Sequence, residues 1–324
     1  MDCNTRTLAS ESWFEAARAT KPEELGQLID IDIQLTEEDR TRAGMHSIIN
    51  ICTVLYAELA LISVQIGDGH MLSECMQEIY AMGQSMGKRD KALQLLANID
   101  TLAEDVLGCI DREMERTRFE VEQDKLVQSR ENVVSVFAIF SVRAQELLER
   151  EEVGSSWVEH SVPQLVQNMG DVLKAIATNS KGRYGIVYNI ALQKERDYLI
   201  DLEVDSIDGD VIRMPPVLQD VLRDLTANAR KYTQPGGRIS VGLADDGVYL
   251  HLVVEDTGCG ILDDEIKDVV RWGVRGSNVR EVQVNGGGFG LTKAYMTVLE
   301  YGGRMWIKSQ LGKGTRITII IPTA

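Results

Sequence analysis

The apolar positions of the chain follow two different patterns, which divide it near residue 180. From Leu35 to about Thr178 they recur every three or four residues, as on amphipathic helices. One stripe consists of Ile48, Cys52, Leu55, Leu59, Ile62 and Ile66, and a second of Val133, Phe137, Phe140, Ala144 and Leu147. Helix-forming residues dominate this half, and Pro163 is its only proline. We therefore predict four or five helices, arranged as in a four-helix bundle.

Glycines and one acidic residue indicate where these helices end and begin. We predict turns at Gly67 to Gly69 and at Gly83 to Gly87. Asp90 is a suitable N-cap for a helix from Lys91 to about Gln128. A long segment therefore separates the first stripe from the helical segment Arg130 to Arg150. Two alternatives follow: long helices extend through this segment, or the region from Gly67 to Gln128 is an inserted bundle.

After Lys181 the pattern changes to short β-rich segments. The predicted strands are Tyr184 to Leu192, Tyr198 to Val204, Val211 to Arg213, Arg238 to Leu243, Val248 to Glu255, Arg304 to Gln310 and Thr315 to Ile321. Asp208-Gly209 predicts a hairpin turn, and helices are predicted from Pro215 to Tyr232 and from Phe289 to Tyr301. This order predicts an α+β domain with helices on one face of a mixed sheet. We place the domain boundaries at 1–35, 36–180 and 181–324.

Composition and charge exclude several classes of protein. With 44% hydrophobic and 26% charged residues, the 324-residue chain is ordinary for a soluble globular protein. Its net charge of −16 argues against binding to nucleic acid or to anionic membranes. The segment Ile48 to Ile66 is nearly long enough to span a bilayer, but Glu58 would lie near the membrane centre. We therefore expect no membrane insertion.

The cysteines and the N-terminus indicate the compartment. The five cysteines are Cys3, Cys52, Cys75, Cys109 and Cys259. Their number is odd and their spacing fits neither a zinc finger nor a CxxC motif, so a disulfide framework is not expected. The first residues lack the basic and apolar runs of a signal peptide. We therefore expect a cytoplasmic protein.

Four short motifs in the C-terminal third carry candidate nucleotide chemistry. They are Asn228-Ala229-Arg230-Lys231-Tyr232, Asp256 to Ile261, Gly286 to Leu291 and Gly312 to Thr315. Asp224 precedes Asn228 by one helical turn, so their side chains share a face that can hold Mg²⁺ beside phosphate. A glycine run that opens a helix forms an anion site. Each motif alone also has a structural explanation as a polar helix face, a tight turn, a hinge or a hairpin.

The order and spacing of these motifs closely resemble the GHKL ATPase superfamily, and they are most similar to sensor histidine kinases. The resemblance covers roughly Ile186 to Pro322 and implies an α/β-sandwich domain that binds ATP and Mg²⁺. It implies that Asn228 ligates Mg²⁺, that Asp256 binds the adenine amine and that Lys231 contacts phosphate. The other nucleotide-binding positions that it implies are Tyr232, Gly258, Gly260, Arg275, Gly286, Gly288, Gly290, Leu291 and Thr315. It also implies a mobile lid from Val269 to Asn285, with Trp272 near its aromatic-rich box.

A kinase of this class needs an acceptor histidine, and His46 is the candidate. It lies at the start of the first apolar helix, and the segment from His46 to Asn50 resembles the core of kinase H-boxes. Ser47 stands where many families have an acid that acts as general base. Asp224 stands where many kinases have Asn, and we hypothesise that it orients the attacking group. The other histidines are expected in loops, for His70 and His160, and in a strand, for His251.

The resemblance implies a homodimeric histidine kinase of a two-component system. Such a protein phosphorylates its own His46 from ATP and passes the phosphoryl group to an Asp of a response-regulator receiver domain. Two alternatives stay open at the level of sequence. Ser47 and the poor match of the lid box favour a pseudokinase or phosphotransfer scaffold. Asp224 favours a GHKL ATPase or a protein kinase that does not use His46.

Overall fold

A computed structural model describes residues 24–67, 70–116, 123–180, 182–279 and 288–323. The helices are α1 (Glu37–Ile66), α2 (His70–Ser85), α3 (Arg89–Leu96), α4 (Ile99–Arg116), α5 (Gln123–Val153), α6 (Val162–Asn179), α7 (Val217–Tyr232) and α8 (Gly290–Glu300). The strands are β1 (Gln27–Leu28), β2 (Val158–Ser161), β3 (Ile186–Val187), β4 (Tyr198–Ser206), β5 (Val211–Met214), β6 (Arg238–Asp245), β7 (Tyr249–Asp256), β8 (Arg304–Gln310) and β9 (Gly314–Pro322). A helical N-terminal region thus precedes an α/β domain, as predicted.

Helices α1, α2, α4 and α5 form a four-helix bundle, and the short α3 packs against α2 and α5. The stripe predicted on α1 is the centre of this core, and Ile48, Leu55 and Ile62 are fully buried. Burying a side chain of this size contributes about 1.5–3 kcal/mol. Thr36 and Asp39 form a capping box that fixes the start of α1. The predicted helix face is therefore confirmed, and its partners come from the same chain.

The helical region contains six helices among the described residues, where four or five were predicted. The predicted helix from Lys91 to Gln128 is wrong, because α3 ends at Leu96 and α4 begins at Ile99. Asp90 lies within the first turn of α3, and Lys88 is the N-cap. The interruption lets α3 and α4 bury Ala92, Leu96, Ile99 and Val106 in the same core. Of the two alternatives for this region, the structure has the inserted helices.

The structure confirms the predicted turns at Gly67 and Gly87 but not at Gly83. Gly67 caps the C-terminus of α1 at a φ of 81°, a left-handed conformation that suits glycine. Gly87 lies in the turn after α2, as predicted. Gly83, however, lies inside α2. A Cβ at Gly83 would lie 3.5 Å from the Cβ of Cys52 on α1, so this glycine permits close packing of two helices. Residues 68–69 lie outside the described residues.

The α/β domain contains a seven-stranded sheet with the order β1-β8-β9-β7-β6-β4-β3. Strand β4 is parallel to both β3 and β6, and the other neighbours are antiparallel. Helices α6, α7 and α8 contribute to its core. The sheet also recruits residues from before α1, because Gln27 and Leu28 pair with Ile307 and Trp306. The predicted α+β architecture is therefore confirmed.

Three local predictions are wrong, and two of them fail because β2 and β5 pair although they are distant in sequence. The predicted strand Tyr184 to Leu192 is limited to β3 and is followed by a 3₁₀ turn at Ile190–Leu192. Strand β5 pairs with β2 in a separate ribbon, so the Asp208-Gly209 turn does not join two paired strands. His160 lies in β2, where its Nε2 is 3.1 Å from the Met214 carbonyl oxygen.

The other two histidines can also be placed. His70 is the first residue of α2, where a loop was predicted. His251 lies in β7, as predicted, and its Nε2 is 2.9 Å from an Asp246 carboxylate oxygen. Because this contact links a strand to the turn that precedes it, we interpret His251 as structural.

Helix α1 also bears on the question of a membrane. Within the described part of the chain, Ala43–Ile66 is long and apolar enough to cross a bilayer, with a mean hydropathy of 1.8. A helix that lies in a protein core passes the same test, so the finding is weak. In the structure the stripe of α1 packs against other helices. The absence of membrane insertion stays a prediction.

Candidate functional site

A cavity of about 340 Å³ lies where the α/β domain meets the helical bundle. Its size falls within the range of small-molecule sites. The predicted site residues that line it are His46, Asn50, Asp224, Asn228, Lys231, Tyr232, Asp256, Gly260, Arg275, Gly288, Gly290, Leu291 and Thr315. Gly258 lies just behind the wall, and Gly286 and residues 280–285 of the predicted lid lie outside the described residues. Folding thus brings the H-box-like segment and the nucleotide motifs into one cavity.

One end of the cavity is built around Asp256, the last residue of β7. Its carboxylate accepts a hydrogen bond from the backbone N–H of Gly258 at 2.8 Å. Thr315 lies directly opposite in β9. Burial raises the pKa of Asp256 to about 6, although the N–H groups of Gly258 and Thr315 act in the opposite direction. A buried carboxylate with spare acceptor capacity suits an exocyclic amine.

Two glycines of the cavity wall lie where an added Cβ would meet neighbouring atoms. Gly260 has a φ of 71°, and a Cβ there would lie 2.2 Å from the carbonyl oxygen of Gln310. This position therefore excludes side chains on both conformational and steric grounds. A Cβ at Gly290 would lie 2.9 Å from Nδ2 of Asn228. The glycine that opens α8 thus leaves room for the predicted Mg²⁺ ligand on α7.

The other end of the cavity is cationic. Lys231 and Arg275 line it, and Lys231 lies over the ring of Tyr232 at 5.2 Å. Burial and the neighbouring charges of Arg275 and Arg230 together lower the pKa of Lys231 to about 8. Cations held close enough to repel one another are stabilised by an anion between them. Together with the amide of Asn228, this wall fits a triphosphate and its Mg²⁺.

His46 reaches the cavity from α1. Its ring packs edge-on against Phe289 with 4.8 Å between centroids, and Phe289 stacks on Trp272 at 4.1 Å. The Nε2 atom of His46 is 3.2 Å from the Nδ2 atom of Asn50. Burial lowers the pKa of His46, and the charge of Asp224 opposes this shift. The imidazole is therefore neutral at pH 7 and keeps a nucleophilic lone pair.

Residues 214–324 match the model of the "Histidine kinase-, DNA gyrase B-, and HSP90-like ATPase" family. The matched segment contains the four nucleotide motifs and both ends of the nucleotide cavity. The C-terminal domain belongs to this ATPase family.

Parts of the chain are similar to curated sensor kinases. The chain is 27% identical to the adaptive-response sensory kinase SasA of Synechococcus sp. (strain JA-2-3B'a(2-13)), over 76% of this chain and 62% of that protein. It is 32% identical to the sensor histidine kinase RppB of Synechocystis sp., over 38% of this chain and 28% of that protein. The chain thus spans less than two thirds of these relatives. Among solved structures, the mycobacterial sensor histidine kinase MprB is 21% identical over 52% of this chain and 97% of that chain, with a TM-score of 0.37.

A cluster of buried charges joins the ATPase domain to the bundle, and sequence analysis missed it. Glu146 on α5 forms two hydrogen bonds with the guanidinium group of Arg223 on α7. Arg143, also on α5, pairs with Asp220 of α7 and donates to Ser47 Oγ at 2.9 Å. The side chain of Arg143 is only 2% exposed. The available signal in the sequence was Arg143, a charged residue that lies between Phe140 and Ala144 in the apolar stripe of α5.

Lys293 extends this cluster into the cavity. Its Nζ lies 2.9 Å from Asp224 and 3.2 Å from Asp220. Burial alone would raise the pKa of Asp220, but Lys293 and Arg143 hold it well below its usual value. Asp220 is therefore ionised at neutral pH. The cluster fixes Asp224, the residue that departs from the kinase pattern, at the wall that also carries His46.

Replacing Asp256 by asparagine is expected to stabilise the ATP-free protein and to weaken ATP binding. The pKa of the Asp256 carboxyl is higher in the folded protein than in the unfolded chain. The free energy of unfolding therefore falls as the pH rises from 3.8 to about 6. The cost reaches up to about 3 kcal/mol above pH 6, and asparagine does not incur it. Urea unfolding at pH 7.5 and ATP titration of both proteins test the two effects. The loss of a charge-assisted acceptor should weaken ATP binding about 10-fold or more.

The same pair of proteins provides the control for this prediction. At pH 4 the wild-type carboxyl is protonated, so the difference in the free energy of unfolding should vanish. An equal difference in the free energy of unfolding at pH 4 and pH 7.5 would contradict its proposed origin in the ionisation of Asp256.

Proposed function

We propose that the chain is a histidine kinase of a two-component system that phosphorylates its own His46 from ATP. One observation carries the proposal: His46 lies against Phe289 of the glycine-rich motif, at the cavity formed by the nucleotide motifs. The match to the ATPase family and the similarity to sensor kinases support it. A histidine with a purely structural role in α1 would not need to face this cavity.

Different residues of the cavity contribute to different parts of phosphoryl transfer. ATP with Mg²⁺ is the phosphoryl donor. Asn228 would offer its amide oxygen to Mg²⁺, and Lys231 and Arg275 would neutralise phosphate charge. The Nε2 atom of His46 forms a P–N bond to the γ-phosphorus as the bond to ADP breaks. The ring then carries a positive charge, which Asp224 stabilises until the Nδ1 proton is released to solvent water.

The partners and the location follow from the same proposal. The phosphoryl group passes from His46 to an Asp of a response-regulator receiver domain. The acidic chain has no nucleic-acid partner, and it acts in the cytoplasm without insertion into a membrane. The homodimer expected from the family uses a surface other than the α1 stripe, because that stripe is buried within the chain.

Incubation with γ-labelled ATP and Mg²⁺ tests the proposal. The wild type and the control variant His160→Gln should acquire label that is stable in base and lost in acid, as phosphohistidine is. His46→Ala should acquire none. Acid-stable label would instead support a kinase that does not use His46. Label on both wild type and His46→Ala would show another acceptor. No label on either protein, with ATP binding intact, would support the pseudokinase alternative.

A further inference from the structure

We infer that one chain contains the complete autophosphorylation unit: its inserted helices complete the bundle around α1 and α5, and its own ATPase domain serves its own His46. The inference rests on the proposed function and specifies which histidine is the substrate. The family resemblance implies a bundle formed by hairpins of two chains. In this protein all four helices come from one chain.

The core of the bundle supports the first part. The stripe on α1 that would meet a second chain is buried by residues of the insertion. Leu72 and Ile79 of α2 and Val106 and Ile110 of α4 are all fully buried in the same core as Leu55. Since α2 and α4 occupy the places beside the α1–α5 hairpin, a second hairpin cannot pack on this stripe without displacing them. The exposed large apolar side chains of α1 lie outside this core; they are Val54, Tyr56, Leu61 and Val64.

The connection between the two domains supports the second part. Only residues 154–157 separate the end of α5 from β2, and this segment can span at most about 18 Å. It is also held against the ATPase domain, because Ser155 donates to Glu300 at 3.1 Å and Trp157 packs edge-on against Tyr301. The ATPase domain is therefore anchored beside the C-terminal end of α5.

His46 lies at this same end of the bundle. Helices α1 and α5 run antiparallel, and Ser47, next to His46, accepts a hydrogen bond from Arg143, ten residues before the end of α5. The acceptor and the tether of the ATPase domain are therefore near each other in one chain. A domain held on a short connector meets the histidine of its own chain at a much higher effective concentration than that of another chain.

The buried charges make this docked arrangement specific. Glu146 and Arg223 pair across the two domains with side chains that are 12% and 10% exposed. Arg150 of α5 adds a 3.1 Å contact with the buried Asp220. Buried charges are costly unless their partners are in place, so the interface has one favourable arrangement.

Co-expression of two inactive variants tests the inference. His46→Ala keeps the ATPase domain intact, and Asn228→Ala, fused to a larger tag, keeps the acceptor but lacks the Mg²⁺ ligand. Co-expression allows mixed assemblies to form before purification. With γ-labelled ATP, we expect the Asn228→Ala chain to acquire at least about 20-fold less label than the wild type, and the wild-type rate per chain to be independent of protein concentration.

The possible outcomes separate this inference from the proposed function. Label on the Asn228→Ala chain at a level near that of the wild type would show transfer between chains and would overturn the inference alone. An unlabelled wild type would overturn the proposed function and the inference with it. Circular dichroism and unfolding curves check the fold of each variant, and His46→Gln with Asn228→Asp forms a second, conservative pair for the same experiment.

Discussion

Autophosphorylation of the Asp224→Asn protein is expected to be about 100-fold slower than that of the wild type, with an unchanged affinity for ATP. Asp224 and His46 line the same cavity, and the carboxylate charge acts to raise the pKa of the imidazole. The Asp224 carboxylate therefore interacts favourably with the positively charged His46 ring, which forms as the phosphoryl group is transferred. The residue after His46 is Ser47, so the H-box-like segment itself supplies no acid there. We expect Asp224 to supply this carboxylate from the ATPase domain.

The Asp224→Asn substitution should leave the fold intact. Lys293 keeps Asp220 as a partner at 3.2 Å, and asparagine has nearly the same shape as aspartate. A matched control is Asp105→Asn on an exposed position of α4, which should phosphorylate at the wild-type rate. Steady-state kinetics should show the loss in kcat and not in KM.

A second measurement distinguishes electrostatics from a structural effect. Because Asp224 raises the pKa of His46, that pKa should fall in the Asp224→Asn protein, and an NMR titration of the histidine would detect the change. An Asp224→Asn protein with wild-type turnover would contradict the proposed role.

Reversing one charge at the interface between the domains is expected to lower autophosphorylation about 30- to 4000-fold. Arg223→Glu would place two buried carboxylates side by side, since Glu146 lies across the interface with 12% of its side chain exposed. Disrupting a buried, hydrogen-bonded pair costs about 2–5 kcal/mol. We expect this energy to oppose docking of the ATPase domain on the bundle, so His46 leaves the cavity while ATP binding remains.

The double variant Glu146→Arg, Arg223→Glu tests whether the pair itself is responsible. It should recover part of the lost rate, because the opposite charges meet again in reversed positions. Recovery should be incomplete, since Arg143 lies 3.1 Å from Glu146 in the wild type and would repel an arginine there. Arg304→Glu, an exposed position on β8, applies the same change of charge and should have no effect. Equal losses in the single and double variants would exclude specific pairing.

Much of the fold was predictable because the relevant interactions are local. The apolar stripe of α1 and the alternation in β6 and β7 specify which side chains face a core, and Asp246-Gly247 specifies the turn between these strands. The nucleotide motifs were predictable for a similar reason. Gly260 and Asp256 need particular backbone conformations over a few residues, and this need leaves a recognisable order of residue types.

The missed features depend on contacts between residues that are distant in sequence. The break between α3 and α4 follows from packing against α5, and the short β1 exists because β8 offers it a free edge. The pairing of Arg223 with Glu146 joins residues 77 positions apart. No local rule of composition or spacing specifies such a partner.

The sequence by itself determined the class of each half of the chain, the nucleotide motifs and the candidate acceptor His46. The class of each half depends on backbone hydrogen bonds and side-chain periodicity within single elements, whereas the nucleotide motifs and His46 were singled out by their resemblance to histidine kinases. Only the tertiary structure decided that the insertion buries the α1 stripe, that buried charges dock the ATPase domain on α5 and that His46 faces the nucleotide cavity of its own chain. The physical reason is that the free energies of desolvation and charge pairing depend on which surfaces come into contact. Many different sequences can form each surface, so the sequence alone does not specify the contact.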